Sequence, residues 1–132
     1  NPTDISANSR FYFLDVGVCR SFLDMAGADL PTLRGIVNEN FVYIDLLKRV
    51  RSRKISGTAP MFGLYKEGEI DFLVNSRENY KTYGVEVKSG KTEGKTAQLL
   101  LKDEKVEAVY FLKGDIYCCR LNYTPVQYRR LL

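Results

Sequence analysis

The spacing of apolar residues changes from a helical to an alternating pattern in the middle of the chain, and this change limits the possible folds more than any other feature. Between residues 35 and 51 apolar side chains recur at helical spacing, which predicts an amphipathic helix with a basic end. Residues 61–66, 69–75 and 82–88 instead alternate apolar and polar positions. We therefore expect three consecutive antiparallel strands after one long helix.

The segments on either side of these strands complete an αβββαβ order, a small mixed sheet flanked by helices. Gly27 and Pro31 are expected to break the chain before the long helix, and residues 89–95 form a Gly- and Lys-rich loop. The other predicted elements are a strand at 11–14, helices at 16–25 (capped by Asp15), 96–105 and 124–132, and strands at 106–112 and 116–120.

The length of 132 residues suits one domain. Residues 1–10 are polar and are predicted to be a disordered or linker-like lead, and residues 11–132 to be a single domain. Because the chain does not begin with Met, we expect it to be the C-terminal part of a larger polypeptide.

Apolar runs of only a few residues predict a soluble protein with no membrane partner. The three cysteines show neither a zinc-binding spacing nor an even count, which indicates a reduced, cytoplasmic setting. The absence of His removes the commonest general base, so any chemistry must use carboxylates, Lys, Tyr or a hard metal ion. The net charge of +4 is compatible with a polyanionic partner but does not identify one.

Side-chain alternation on the strands predicts a charged patch. In the second strand Ile70 and Phe72 are expected to face the core, which leaves Asp71 on the opposite face with Leu73. By the same alternation, Glu86 and Lys88 share one face of the third strand.

If the two strands are neighbours, Asp71, Glu86 and Lys88 converge, and Glu39 of the preceding helix can reach the same patch. Crowded carboxylates repel one another unless a cation neutralises them. Mg²⁺ (or Mn²⁺) prefers carboxylate and water oxygens, and it can lower the pKa of a bound water, while Lys88 stabilises charge on a phosphate.

This pattern resembles the PD-(D/E)XK nuclease superfamily. It is similar in particular to a domain of unknown function that follows an AAA-type ATPase module in bacteria and archaea. The resemblance spans residues 11–112 and is carried by 11–17 (FYFLDVG), 35–41 (GIVNENF), 68–72 (GEIDF) and 85–89 (VEVKS).

The resemblance implies a restriction-endonuclease-like fold and an upstream AAA-type ATPase domain in the same chain. It also implies that Asp71 and Glu86 are metal ligands, Lys88 the catalytic lysine and Glu39 a helical accessory acid. Ile70 stands where the superfamily name has Pro, and the helix after the strands lacks a Gln-x-x-x-Tyr pattern.

Structural alternatives remain for each residue. Lys88 can simply pair with a carboxylate on an exposed sheet face, and Glu39 can be a first-turn carboxylate favoured by the helix dipole. Residues 90–96 have three rather than four residues between their glycines, so no P-loop is predicted, and Lys91 and Lys95 are expected near the site.

Three functions are compatible with these observations. The first is a metal-dependent nuclease that hydrolyses phosphodiester bonds, in DNA rather than RNA. The second is a catalytically inactive nuclease-fold domain that binds nucleic acid or regulates an AAA-type ATPase. The third is an interaction module using its sheet edge or residues 128–130. The sequence does not predict an oligomeric state.

Overall fold

The fold is built on one five-stranded mixed sheet. The structure, a computed structural model, describes residues 5–8, 10–88 and 94–113, with only the backbone of residues 7, 8, 88 and 113. The strands lie in sequential order, antiparallel except for the parallel last pair. The elements are β1 (Ser6–Asn8), α1 (Val16–Met25), α2 (Leu30–Arg51), β2 (Met61–Tyr65), β3 (Gly68–Asn75), β4 (Thr82–Lys88), α3 (Lys95–Lys102) and β5 (Ala108–Lys113).

The predicted α/β class with a mixed sheet is confirmed, and helices cover both faces. On one face, Val42 and Leu46 of α2 pack against Phe72. On the other face, Leu100 of α3 packs against Ile70 in a second buried cluster. Since parallel strands cannot be joined by a tight turn, the chain passes through α3 between β4 and β5.

The start of α2 differs from its prediction. The helix begins at Leu30, not near residue 35, because the Asp29 side chain caps it by accepting from the Thr32 N–H at 2.8 Å. Pro31 occupies the first turn, where its missing N–H is not needed. The expectation that Pro31 breaks the chain is therefore wrong. The predicted bounds of α1 and its Asp15 cap are confirmed.

Two predictions near the N-terminus are wrong. Residues 11–14 form no strand, because the backbone N–H and C=O of Phe13 bond to the Asn40 side chain at 2.8 and 2.9 Å. The lead predicted at residues 1–10 contains Ser6–Asn8, which pairs with β2 as an edge strand of the sheet.

A β-bulge interrupts the pairing of β2 with β3. Gly63 pairs with Ile70 and Met61 with Leu73, so the single residue Phe62 lies opposite both Asp71 and Phe72. Ile70 and Leu73 consequently share the face under α3, whereas Phe72 points towards α2. The predicted alternation, with Ile70 and Phe72 on one face and Leu73 on the other, is wrong for this reason.

Gly63 makes this arrangement possible. A Cβ atom at Gly63 would overlap Leu73 Cδ1 and would lie 2.9 Å from Ile70 Cγ2. Both large side chains lie over the glycine backbone, and only a residue without a side chain allows that approach.

Several predicted elements lie outside the described residues: the loop at 89–93, the strand at 116–120 and the helix at 124–132. The predicted helix at 96–105 and strand at 106–112 are confirmed as α3 and β5, the helix one residue earlier at its start and the strand one residue later at its end. Among the helices that the structure describes, none combines the length and the apolar character needed to cross a membrane.

Candidate functional site

Two acidic side chains meet where the regular pairing of β3 with β4 ends. Backbone pairing runs from Asn75 opposite Thr82 to Phe72 opposite Val85. Beyond that point side chains take over, since the Val87 N–H donates to Asp71 Oδ2 at 2.8 Å and the Asp71 N–H donates to Glu86 Oε1 at 3.3 Å. We call Asp71 and Glu86 the acid pair.

The bulge is the local cause of this geometry. It inserts one extra residue into β3 at Asp71 and Phe72, and bulges commonly turn a backbone N–H or a side chain away from its regular direction. Here the N–H and the carboxylate of Asp71 both bond to β4. Regular strand alternation predicted that Asp71 and Glu86 lie close together. In the structure the bulge, and not regular alternation, brings them together.

The Glu86 carboxylate is buried, with 4 % of the residue exposed. The carboxylate lies beside the start of α3. A Cβ atom placed on the N-cap residue Gly94 would be 3.5 Å from Glu86 Oε2. The N-terminus of a helix carries partial positive charge, which stabilises a nearby anion. The Asp71 N–H also bonds to this carboxylate, so the buried acid has a hydrogen-bond partner.

Lys88 is the last residue of β4, two residues beyond Glu86. Its backbone pairs with Lys113 in the parallel ladder between β4 and β5. Its side chain lies outside the described part of the structure, so its predicted catalytic role stays a prediction.

Glu39 contacts a different set of residues. It lies in the third turn of α2, so the alternative of a first-turn carboxylate is wrong. Its Oε1 accepts hydrogen bonds from the Arg10 guanidinium and, at 3.0 Å, from the Tyr12 hydroxyl. Arg10 also lies 3.6 Å from Glu69 Oε2. We call Arg10, Tyr12, Glu39 and Glu69 the arginine cluster.

Aromatic contacts fix the arginine cluster against the sheet. The guanidinium carbon of Arg10 lies 3.9 Å from the centre of the Phe62 ring, a cation-π contact. Tyr12 stacks on Tyr43 with ring centroids 4.4 Å apart and touches Phe72. Because Phe62 lies opposite the bulge, the cluster borders the strand segment that carries Asp71.

Burial and then the negative charge of Glu39 raise the pKa of Tyr12 well above its usual value. Tyr12 is therefore protonated at neutral pH and acts as a hydrogen-bond donor to Glu39. The guanidinium of Arg10 and the phenol of Tyr12 thus both bond to the Glu39 carboxylate and hold it in place.

The acid pair offers two carboxylates to a cation. Within residues 5–8, 10–88 and 94–113, no three acidic, Cys or His side chains are grouped closely enough to hold a metal ion. Glu39 is therefore not brought to the acid pair as a third side-chain ligand. Asp71 and Glu86 supply hard oxygen donors, and Mg²⁺ is often bound through one or two carboxylates with waters and phosphate oxygens completing its shell. The acid pair fits such an ion.

Arg10 is the residue of this region that the sequence does not reveal. It stands in the segment predicted as a lead, 29 positions before Glu39. No local pattern predicts a contact over that separation.

Comparisons of the chain with protein-family models, with curated proteins and with solved structures find no match. The functional argument rests on the geometry described above and on the sequence pattern.

Proposed function

We propose that this protein is a metal-dependent phosphodiesterase that cleaves DNA, built on a restriction-endonuclease-like fold. The observation that carries the proposal is the acid pair, in which backbone N–H groups hold two carboxylates at the end of the β3–β4 ladder. Lys88 follows Glu86 by two positions on the same strand. Two carboxylates and a lysine on adjacent strands match the resemblance drawn from the sequence.

The order of elements also supports the proposal. A long helix, three antiparallel strands, a helix and a parallel strand form a sheet with α2 and α3 on opposite faces. This is the αβββαβ order that the resemblance implies. The edge strand β1 is an addition to it.

Each residue of the site has a distinct task in this proposal. Asp71 and Glu86 would hold Mg²⁺ or Mn²⁺, with Asp71 oriented by the Val87 N–H and Glu86 by the Asp71 N–H. When bound, the ion supplies Lewis acidity and lowers the pKa of a water molecule.

The Lys88 ammonium would stabilise negative charge on the phosphate. Glu39 would assist from the border of the site, where Arg10 and Tyr12 fix its orientation.

The experiment incubates the protein with linear and circular DNA and with RNA at low salt, in Mg²⁺, Mn²⁺ or chelator. Asp71→Asn and Glu86→Gln remove one negative charge each while keeping an oxygen that can accept the observed backbone hydrogen bond. Lys88→Ala tests the lysine. Glu67→Gln, at an exposed position in the β2–β3 turn, is the matched control.

We expect cleavage of DNA that needs the metal ion and that falls by roughly 100-fold or more in the three site variants. The Glu67→Gln control should cleave at the wild-type rate. Absence of cleavage with every substrate and both ions would overturn the proposal. If such a protein still bound nucleic acid, the inactive binding or regulatory module would replace it.

A further inference from the structure

A cavity of about 420 Å³ lies at the other end of the β3–β4 pair, away from the acid pair. It opens between the last turns of α2 and the pairing of Val74 with Tyr83. Its floor is apolar, formed by the buried side chains of Leu46, Val74 and Val85. Cavities of this size with an apolar floor and a few polar groups are typical of small-molecule sites.

Two tyrosines form one wall of the cavity. The rings of Tyr83 and Tyr110 have centroids 6.4 Å apart and planes inclined by 34°. Both side chains are only partly buried, so their faces are accessible from the cavity. Partly exposed aromatic faces over an apolar floor suit a planar ring, which gains stacking as well as apolar burial.

Polar groups line the same space and could recognise the edge of such a ring. The Asn79 Nδ2 group donates to the Tyr83 hydroxyl at 2.8 Å, which fixes the orientation of both groups. Ser56 and Ser76 add hydroxyl groups to the lining. The Ser76 hydroxyl and the Asn79 amide oxygen also accept hydrogen bonds from nearby backbone N–H groups. A nucleobase carries donors and acceptors at its edge and can bond to the remaining hydrogen-bonding positions of these side chains, which a hydrocarbon ring cannot do.

Charged residues of both signs line the cavity. Of the described residues that line it, Arg49 and Lys54 are basic and Glu78 is acidic. Asp45 holds the Arg49 guanidinium through Nε at 2.7 Å. The Lys54 backbone N–H bonds to the Arg49 carbonyl at 2.9 Å, which places Lys54 next to the last turn of α2. The Lys54 ammonium is the basic group that an anionic ligand could meet.

From these observations we propose that the cavity is a nucleotide-binding site, with the base against Tyr83 and Tyr110 and the phosphate towards Lys54 and Arg49. The nucleotide can be a free mononucleotide or one unit of a single strand, since both present the same ring and phosphate. The site is separate from the acid pair. It requires neither the metal ion nor cleavage.

Calorimetry in chelator tests this proposal on the whole chain with three probes: AMP, adenosine and a six-residue oligothymidylate. Tyr83→Leu removes the ring, and Tyr83→Phe keeps the ring without its hydroxyl. The exposed Tyr80, which does not line the cavity, provides the matched control Tyr80→Leu. Lys54→Gln removes the charge without touching the floor, and Lys48→Gln is its control on the surface of α2.

We expect AMP or the oligonucleotide to bind and Tyr83→Leu to weaken that binding by about fivefold or more. Tyr80→Leu should bind within about twofold of the wild type, and Tyr83→Phe should bind more tightly than Tyr83→Leu because it keeps the ring. Lys54→Gln should weaken AMP but leave adenosine unchanged. Binding of AMP indicates a free-nucleotide site, and binding of the oligonucleotide without AMP indicates a site for one base of a strand.

Two results would overturn the proposal. One is no binding of any probe at millimolar concentration. The other is equal binding by the wild type, Tyr83→Leu and Lys54→Gln. Asp71→Asn should bind the probes as the wild type does, and a loss of binding in that variant would place the nucleotide at the acid pair instead. This readout separates failure of the cavity proposal from failure of the nuclease proposal.

Discussion

The acid pair and the arginine cluster place carboxylates on the same part of the sheet but stabilise them by different means. Backbone N–H groups bond to the carboxylates of Asp71 and Glu86. A guanidinium and a phenol bond to Glu39. The guanidinium of Arg10 is a built-in cation that neutralises Glu39. The contrast supports the proposal that the acid pair, and not Glu39, is the metal site.

The bulge at Asp71 and Phe72 positions the acid pair. Disturbing this bulge is expected to have the largest effect on stability. In Gly63→Ala, the new Cβ would collide with Leu73 and Ile70, which lie on one face only because of the bulge. We expect the free energy of unfolding to fall by about 2–3 kcal/mol, as is usual for overpacking a buried position. Urea denaturation measures this change.

Gly35→Ala is the matched control for that substitution. Gly35 lies on an exposed part of α2, and a Cβ atom there meets nothing within 4 Å. Replacing glycine by alanine inside a helix should raise stability by about 0.5–1 kcal/mol. If Gly63→Ala were as stable as Gly35→Ala, the bulge would not depend on the close approach at Gly63.

Neutralising one acid in each group should lower stability by different amounts. Glu86→Gln keeps an acceptor for the Asp71 N–H but loses the interaction of the charge with the start of α3, so in chelator we expect stability to fall by about 0.3–0.5 kcal/mol. Glu39→Gln removes the charge that Arg10 neutralises, so stability should fall by up to about 1 kcal/mol.

Urea denaturation of both variants in the same buffer makes this comparison. Equal changes would show that the two groups are stabilised alike. Glu67→Gln, exposed in the β2–β3 turn, controls for the general effect of removing one negative charge.

The smallest expected effect is on the alkaline limit of stability. Burial and the charge of Glu39 raise the pKa of Tyr12 in the folded protein, so above about pH 10 the unfolded chain releases this proton while the folded chain keeps it. Stability present below that pH is therefore lost as the pH rises towards the folded pKa. One proton contributes at most about 1.4 kcal/mol per pH unit, and for this half-buried tyrosine we expect a fraction of that slope.

Unfolding free energies between about pH 9 and pH 11 test the assignment to Tyr12. The decline should be shallower in Tyr12→Phe, with Glu39→Gln between that variant and the wild type. A decline of unchanged slope in Tyr12→Phe would show that other tyrosines account for it.

The main strands could be predicted because alternation is a local property of the chain. The predicted bounds of β4 match the structure, and β2 and β3 differ by one residue at an end. The bulge could not be predicted from alternation, since it depends on how two strands meet. Glycines inside the strands are the sequence feature that could have indicated the bulge, because Gly63 and Gly84 both make room for Ile70.

The candidate site was predicted in part, again because strand alternation is a local property of the chain. Strand alternation correctly brought Asp71 near Glu86, although through a face assignment that the bulge makes wrong. The contacts of Glu39 could not be predicted, because Arg10 follows a three-residue strand whose partner, β2, is more than fifty positions away in the chain. A pairing of that separation leaves no periodic pattern in the sequence.

Calorimetric titration of Mn²⁺ tests most directly that Asp71 and Glu86, rather than Glu39, hold the cation. The titration compares the wild type with Asp71→Asn, Glu86→Gln and Glu39→Gln, with folding of each checked by circular dichroism. If the acid pair is the site, the first two variants bind Mn²⁺ at least about tenfold more weakly and Glu39→Gln binds within about threefold of the wild type. Wild-type affinity in Asp71→Asn, or a loss in Glu39→Gln as large as in Asp71→Asn, would contradict it.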